Sequence, residues 1–255
     1  MNGDPDSRHG KRPALIVNFK NYGEILGEAG FRLVEAAEKV SNSLDVEIIV
    51  APPVPMLRAV VSRTTVPVFS QRVDDKDEGK STGSVIPEAL KESGCAGSLL
   101  NHSESRVSLE SVRELIPRMR RLGLSTCLCA ESAAEVSTMA AFDAEFLAIE
   151  PPELIGTGIA VSKARPEVVT ASVLAAREGG FRGMVLCGAG IVRGEDASAA
   201  MRLGAQGILV ASGVVKAKDD WEGRLRELSS ALLDSTQDTR DPRPTSTDGA
   251  FARNL

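Results

Sequence analysis

Residues 98–129, SLLNHSESRVSLESVRELIPRMRRLGLSTCLC, contain the repeating unit that decides the fold. The runs at 98–100 and 125–129 are short, apolar and bounded by turn residues, which is typical of buried strands. Between them, residues 108–123 place apolar side chains near helical spacing. The stretch therefore predicts a strand, a loop, a helix and the next strand.

The same order recurs along the chain. Strands are expected at residues 15–19, 46–51, 66–71, 98–100, 125–129, 146–149, 183–187 and 207–210, with the clearest helices at 27–43, 108–123, 162–180, 194–204 and 221–234. Strands that are apolar on both faces and alternate with helices indicate a parallel sheet covered by helices. Eight such units predict an α/β protein, a closed single-domain (β/α)8 barrel over residues 14–233.

A doubly wound open sheet is the alternative architecture. It normally has a glycine-rich dinucleotide-binding turn after its first strand, and VNFKNYGE at 17–24 is not such a turn. The barrel is therefore the favoured interpretation. Because barrels of this type carry their chemistry at the carboxyl ends of the strands, the residues that close each apolar run are the candidate site.

Composition limits the partners. The formal charge of −5 gives no reason to expect nucleic acid or an anionic membrane, and no apolar run approaches the roughly 20 residues of a membrane span. Residues 1–13 are a polar tail without an apolar signal core, and residues 234–255 lose periodicity and are expected to be a disordered tail. We expect a cytoplasmic protein with a small-molecule substrate.

Four cysteines lack the C-x-x-C spacing of zinc and redox motifs, so buried free thiols and no metal site are expected. Asn18 and Lys20 close the first strand and point the same way, because strand side chains alternate. His102 directly follows the fourth strand, whereas His9 lies in the polar tail. Taken singly, the lysine could be a solvated strand end and His102 a core imidazole bonded to the backbone.

Glu150 closes the sixth strand and is followed by PPELIGTG at 151–158. An ionised carboxylate beside an apolar core is costly, so it needs a partner or a function. The prolines restrict the near end of the following segment and the glycines allow its far end to move, which indicates a lid. An ordinary loop would explain the prolines and glycines but not the acid.

The seventh and eighth strands close with small residues, CGAGI at 187–191 and ILVASGV at 208–214. Such turns leave backbone N–H groups uncovered, and barrels often bind phosphate there. A glutamate base, a neutral histidine and a lysine charge, held by Glu104, suit proton abstraction beside a carbonyl in a small phosphorylated substrate without a cofactor. Another phosphate-binding barrel, such as a Schiff-base aldolase, and a non-catalytic scaffold remain alternatives.

Motifs at the strand ends carry a resemblance to a known family. In chain order they are NFKNY at 18–22, SQRVDDKDEGKSTGS at 70–84, LLNHSE at 99–104, AIEPPELIGTG at 148–158, CGAGI at 187–191 and GILVASGVVKAKD at 207–219. Together they resemble the triosephosphate isomerase family, in particular its shorter archaeal branch. The resemblance implies a TIM barrel of glycolysis and gluconeogenesis that interconverts dihydroxyacetone phosphate and D-glyceraldehyde 3-phosphate.

The resemblance also implies roles for individual residues. Glu150 would remove the proton beside the carbonyl, His102 would polarise the carbonyl and move protons between the enediolate oxygens, and Lys20 would stabilise negative charge. Asn18 would fix Lys20 and Glu104 would hold it. The implied phosphate cradle consists of the backbone at Ile155, Gly156, Gly190, Ala211 and Ser212.

The resemblance further implies a homodimer or homotetramer, in which KSTGS at 80–84 enters a neighbouring subunit. Thr82 would then contact Asn18 or Lys20 across the interface. Two loops depart from the bacterial and eukaryotic branch: Glu153 and Leu154 stand where its lid has a tryptophan, and Gly190 stands where its seventh loop has a serine. The contacts that close the lid are therefore expected to differ from that branch.

Overall fold

A computed structural model describes residues 12–238 and contains eight strands. They are β1 Ala14–Asn18, β2 Glu47–Ala51, β3 Phe69–Ser70, β4 Gly97–Leu100, β5 Ser125–Ala130, β6 Phe146–Ile149, β7 Met184–Gly188 and β8 Gly207–Val210. Each of these strands overlaps one of the eight predicted runs. The least complete agreement is at β3, where Pro67 has no N–H to donate to a neighbouring strand.

Ten α-helices and three short 3-10 helices surround the strands in the described region. The α-helices are α1 Glu28–Ser41, α2 Leu57–Val61, α3 Pro87–Glu92, α4 Leu109–Arg121, α5 Ala133–Met139, α6 Val161–Ala164, α7 Pro166–Glu178, α8 Gly194–Arg202, α9 Ser212–Val215 and α10 Trp221–Asp238. The 3-10 helices are Gly23–Ile25, Val54–Met56 and Pro152–Leu154. This alternation covers the outer face of the sheet.

The strands form one parallel sheet in the order β2-β1-β8-β7-β6-β5-β4-β3. A single parallel bridge between Val50 and Val68 joins the two outermost strands of that order. The sheet is therefore a nearly closed eight-stranded barrel in a single domain, which confirms the predicted fold.

The apolar side chains form two clusters, one inside the barrel and one between the strands and the helices. Alternate residues along each strand enter the interior, since strand side chains have a period of two. The interior cluster contains Ala14, Ile16, Ile49, Ala51, Phe69, Leu99, Cys127, Cys129, Phe146, Ala148, Met184, Leu186 and Leu209. The next residues in the same register, Asn18 and Glu150, lie at the carboxyl end of the barrel.

The helices differ from the predictions at two places. The helix predicted at 162–180 is divided into α6 and α7, because Arg165 precedes Pro166 and has non-helical angles, φ −141° and ψ 58°. α10 continues to Asp238, past the expected end of the barrel at residue 233. The rest of the two expected tails, residues 1–11 and 239–255, lies outside the described residues, as does His9.

All four cysteines are free and buried. Within residues 12–238, no helix combines the length and apolarity needed to cross a membrane. The same residues contain no group of three or more His, Cys, Asp or Glu side chains placed to hold a metal ion.

The barrel interior should carry much of the stability. Leu186 is 0% exposed inside the barrel, whereas Leu174 on α7 is 54% exposed. Leu186→Ala is expected to lower the free energy of unfolding by about 2–5 kcal/mol, since it leaves a cavity in a packed core. Leu174→Ala, the matched control, should stay within about 0.5 kcal/mol in the same denaturant titration. Equal effects of the two changes would contradict this assignment of the core.

Candidate active site

Lys20 follows β1 in a left-handed backbone conformation, with φ +48°. This conformation is uncommon for residues other than glycine and requires support from its surroundings. The Lys20 N–H donates to Asn18 Oδ1 at 3.0 Å, and the Lys20 carbonyl accepts from Gln71 Nε2 at 3.0 Å. Side chains at the ends of β1 and β3 therefore fix the backbone of this lysine.

The Lys20 side chain forms an ion pair at the mouth of the barrel. Its Nζ lies 2.5 Å from Glu104 Oε1, with the lysine side chain 13% exposed and the glutamate side chain 56% exposed. A pair this open to water adds little to the free energy of unfolding. Its main effect is to hold the ammonium group in one place.

His102 is buried and lies two residues after Leu100, the last residue of β4. Its Nδ1 accepts a hydrogen bond from the Glu104 backbone N–H at 3.1 Å. A nitrogen that accepts an N–H carries no proton, so the proton of the neutral imidazole is on Nε2. Nε2 lies 3.3 Å from Glu150 Oε2, and neither atom has a hydrogen-bond partner among the described residues.

Glu150 continues the interior register of β6 and is 6% exposed. Its backbone N–H donates to the Ala130 carbonyl at 2.8 Å, which holds it to the end of β5. Gly188 provides the space for its side chain, because a Cβ atom there would lie 2.7 Å from Glu150 Cγ. The first glycine of the CGAGI motif, Gly188, is therefore required for steric reasons that sequence reasoning did not identify.

Burial raises the pKa of the Glu150 carboxyl, because the ionised form loses its hydration. The positive charges of His102, when protonated, and Lys20 act in the opposite direction. Burial and the charge of Glu150 also raise the pKa of the neighbouring Cys187 thiol to about 12. Glu150 is thus an acid whose proton affinity is increased by its position, as expected of a general base.

The segment after Glu150 begins with the 3-10 turn Pro152–Leu154 and continues through two glycines with positive φ. A Cβ at Gly156 would meet nothing within 4 Å, so its φ of +74° explains the glycine. Gly190 also has a positive φ, +73°, and in addition a Cβ there would lie 1.9 Å from the Ile159 carbonyl oxygen. The far end of the segment therefore packs directly on the turn after β7.

The structure brings most of the predicted residues to two adjoining cavities. The smaller, of about 30 Å³, is lined by Asn18, Lys20, Tyr22, Glu150, Ile155, Gly156, Ala189, Gly190, Ile191, Leu209, Val210, Ala211 and Ser212. The larger, of about 570 Å³, shares Asn18, Lys20 and Tyr22 with it, and His102 and Glu104 also line it. Thr82 lines neither cavity of the described chain and lies in an exposed turn.

Sequence reasoning missed two residues of this site. Gln71 bridges two backbone segments, since Nε2 also donates to the Ala51 carbonyl at 3.0 Å. It stands two residues after Phe69, in the register that enters the barrel, so the rule that identified Glu150 could have found it. Tyr22 lines both cavities, and no signal beyond its place in NFKNY points to it.

The arrangement places a buried carboxylate and an imidazole N–H side by side, with a fixed ammonium group on the wall of the same space. Small residues, Gly156, Gly190, Ala211 and Ser212, line the smaller cavity together with Lys20 and Glu150, and turns of this kind can present backbone N–H groups to an anion. Such a set can remove a proton from carbon, supply one to oxygen and stabilise the negative charge that develops between the two steps.

Comparison with known proteins agrees with this geometry. Residues 13–230 match the family model described as triosephosphate isomerase. The triosephosphate isomerase of Methanocaldococcus jannaschii is 45% identical over 214 residues, which cover 84% of this chain and 97% of that protein. The triosephosphate isomerase of Metallosphaera sedula is 44% identical over 223 residues, covering 87% and 97%.

A third relative, the triosephosphate isomerase of Methanothermus fervidus, is 44% identical over 208 residues, covering 82% of this chain and 94% of that protein. The matched residues include every strand of the barrel and the strand ends that form the two cavities. The resemblance stated from the strand-end motifs is confirmed, and the chain belongs to the triosephosphate isomerase family.

Proposed function

We propose that the chain interconverts dihydroxyacetone phosphate and D-glyceraldehyde 3-phosphate by proton transfer, with Glu150 as the base. The observation that carries the proposal is the contact of Glu150 Oε2 with His102 Nε2 at 3.3 Å, both lacking a hydrogen-bond partner among the described residues. Two buried polar atoms without partners are costly, and a bound substrate would supply the missing hydrogen bonds.

In the first step Glu150 takes the proton from the carbon beside the carbonyl. The electron pair of the broken C–H bond forms the enediolate, and the carbonyl oxygen becomes negatively charged. His102 donates from Nε2 to that oxygen and moves protons between the two oxygens. Glu150 then returns its proton to the neighbouring carbon, which completes the isomerisation.

Lys20 and the backbone groups would bind the charged parts of the substrate. The ammonium group of Lys20 stabilises the enediolate and the phosphate. Glu104 holds that group, and Asn18 holds the Lys20 backbone N–H. The phosphate would lie against the backbone at Ile155, Gly156, Gly190, Ala211 and Ser212, where the Ile155 N–H already donates to the Pro152 carbonyl at 3.2 Å. Closure of the lid excludes water from the enediolate, which protects it from side reactions.

The contacts of Lys20 disfavour an aldolase. A Schiff-base lysine must present a free amine to the substrate, but Lys20 Nζ is held in an ion pair, 2.5 Å from Glu104 Oε1. A purely structural barrel would have no need of a buried glutamate and histidine whose facing atoms, Oε2 and Nε2, lack hydrogen-bond partners among the described residues. The proton-transfer reaction accounts for all three side chains.

We also propose a cytoplasmic homo-oligomer in which the loop after β3 completes the site of a neighbouring subunit. Asp74 and Val85 close the base of this loop through backbone and side-chain bonds of 2.7 and 2.8 Å. Thr82 lies in an exposed turn of this loop. It would enter the larger cavity, beside Lys20, of the neighbouring subunit. A homodimer is the smallest such assembly, and a homotetramer could be built from two dimers.

Neutralising the base tests the mechanism. Glu150→Gln keeps the shape of the side chain and removes its charge, so kcat should fall by about 10²–10⁴-fold in a coupled assay. Glu114→Gln, at an exposed position on α4, serves as the control and should leave kcat unchanged. Normal turnover by the Glu150 variant would refute the assignment of the base.

The same variant should be more stable at neutral pH. Because the folded state raises the pKa of Glu150 above 4.5, folding favours the protonated form. Stability is lost as pH rises from the unfolded pKa through the higher folded pKa, and the full cost remains above both. Glu150→Gln removes this cost, so its Tm at pH 7 should exceed that of the parent, with no such gain at a pH below both values.

The acid limb of the pH profile should report Glu150. The kcat/KM of the enzyme should begin to decline at a pH above the pKa of an ordinary glutamate, because the base must be ionised and its pKa is raised. The charge of Glu104 raises the pKa of Glu150, so Glu104→Gln should move the acid limb to lower pH, whatever its effect on the maximum rate. An acid limb that stays in place in this variant would contradict the electrostatic account.

The assembly can be tested by a bulky charge at the loop tip. Thr82→Arg should shift the protein toward the monomer mass of 26.9 kDa in light scattering and lower activity at the same time. Thr170→Arg, at an exposed position on α7, is the matched control. An unchanged mass for Thr82→Arg would remove Thr82 from the interface.

A further inference from the structure

Arg224 on α10 connects two loops that approach the site from different strands. Its side chain is only 14% exposed. A single guanidinium nitrogen, Nη1, donates to the Val192 carbonyl at 2.5 Å and to the Gly213 carbonyl at 3.0 Å. Val192 lies in the turn after β7, and Gly213 lies in α9 directly after β8.

These two carbonyls are close in sequence to the proposed phosphate cradle. Val192 stands two residues after Gly190, and Gly213 immediately follows Ser212. The two turns also touch, because a Cβ at Gly213 would lie 2.2 Å from the Ile191 carbonyl oxygen. Neutral N–H groups bind a phosphate only if they are correctly spaced. Here the spacing depends on how the turn after β7 lies relative to the segment after β8.

The contacts around Arg224 leave little freedom to the turn after β7. Asp196 accepts from the Val192 N–H at 3.0 Å, so this residue is held at its N–H by one side chain and at its carbonyl by another. Glu227 lies 3.2 Å from Arg224 Nε and accepts from the Gly194 N–H at 2.8 Å. Arg224 and Glu227 therefore bind the turn as a unit on one face of α10.

We propose that Arg224 is a positioning residue that fixes the distance between the two halves of the phosphate cradle and thereby sets the affinity for phosphate-bearing ligands. The inference rests on the proposed function, since it assigns Gly190, Ala211 and Ser212 to the phosphate. The guanidinium suits this task because Nη1 binds both carbonyls while Nε, held in the same plane, pairs with Glu227. An ammonium group has only one nitrogen and cannot make both sets of contacts in one rigid plane. Arg224 acts through the backbone and does not touch the substrate.

The test compares ligands with and without phosphate. Arg224→Met should lower kcat/KM for D-glyceraldehyde 3-phosphate by about tenfold or more, as expected for lost hydrogen bonds to a charged group. Inhibition by inorganic phosphate should weaken by a similar factor. The loss of kcat/KM for phosphate-free D-glyceraldehyde should be several times smaller, because that substrate does not use the cradle.

Arg226→Met is the matched control, since it makes the same change two residues along α10. Arg226 is 43% exposed and pairs with Glu222, away from both turns, so this variant should match the parent with all three ligands. Equal losses for the phosphate-bearing and phosphate-free substrates in Arg224→Met would overturn the proposal and indicate a general role in folding. Retained phosphate inhibition would overturn it as well.

Arg224→Lys keeps the test valid if Arg224→Met does not fold. The lysine retains the positive charge but not the fixed fork of donors, so phosphate inhibition should still weaken, while the Tm stays near that of the parent. Parent-like inhibition by this variant would contradict the proposal. Turnover of triose phosphate by the parent protein tests the proposed function separately. Calorimetry compares the affinity of parent and variant for inorganic phosphate, and it does so even if the parent does not isomerise triose phosphates.

Discussion

The structure depends on one constraint, the placement of an ionisable carboxylate at the end of an apolar strand. Glu150 lies in the same register as the packed interior of the barrel, where a charge loses its hydration. The neighbouring strands accommodate it: β7 gives up a side chain at Gly188, and β1 and β4 lead to Lys20 and His102. The barrel has therefore traded part of its stability for a base of increased proton affinity.

Glu104 connects the other two groups of the site and so explains why LLNHSE occurs as a unit. Its carboxylate holds the Lys20 ammonium, and its backbone N–H fixes the tautomer of His102. The first contact depends on the side chain and the second on the path of the chain. A substitution at this position can therefore change the electrostatics of the site while the histidine keeps the same tautomer.

Much of the fold and of the site could be predicted, because both follow from a period of two. The rule that places Ile16 and Ala148 in the interior also places Asn18 and Glu150 at its end. Other contacts leave no pattern in the sequence. Arg224 binds carbonyls that lie 32 and 11 residues away, and a bond to a backbone carbonyl does not depend on the identity of the accepting residue. The division of the helix at Pro166 could have been predicted from the proline itself. It was missed because the apolar residues on both sides keep helical spacing.

The single bridge between Val50 and Val68 makes the boundary of β2 and β3 the weakest part of the barrel wall. Amide exchange by local opening should therefore be fastest along this seam, where few backbone hydrogen bonds must break. At the site end the Gln71 side chain closes the seam by binding both the Ala51 and Lys20 carbonyls. Because one side chain binds both carbonyls, an opening of the wall at this seam would also disturb the hydrogen bond that supports the Lys20 backbone, and with it the position of the ammonium group.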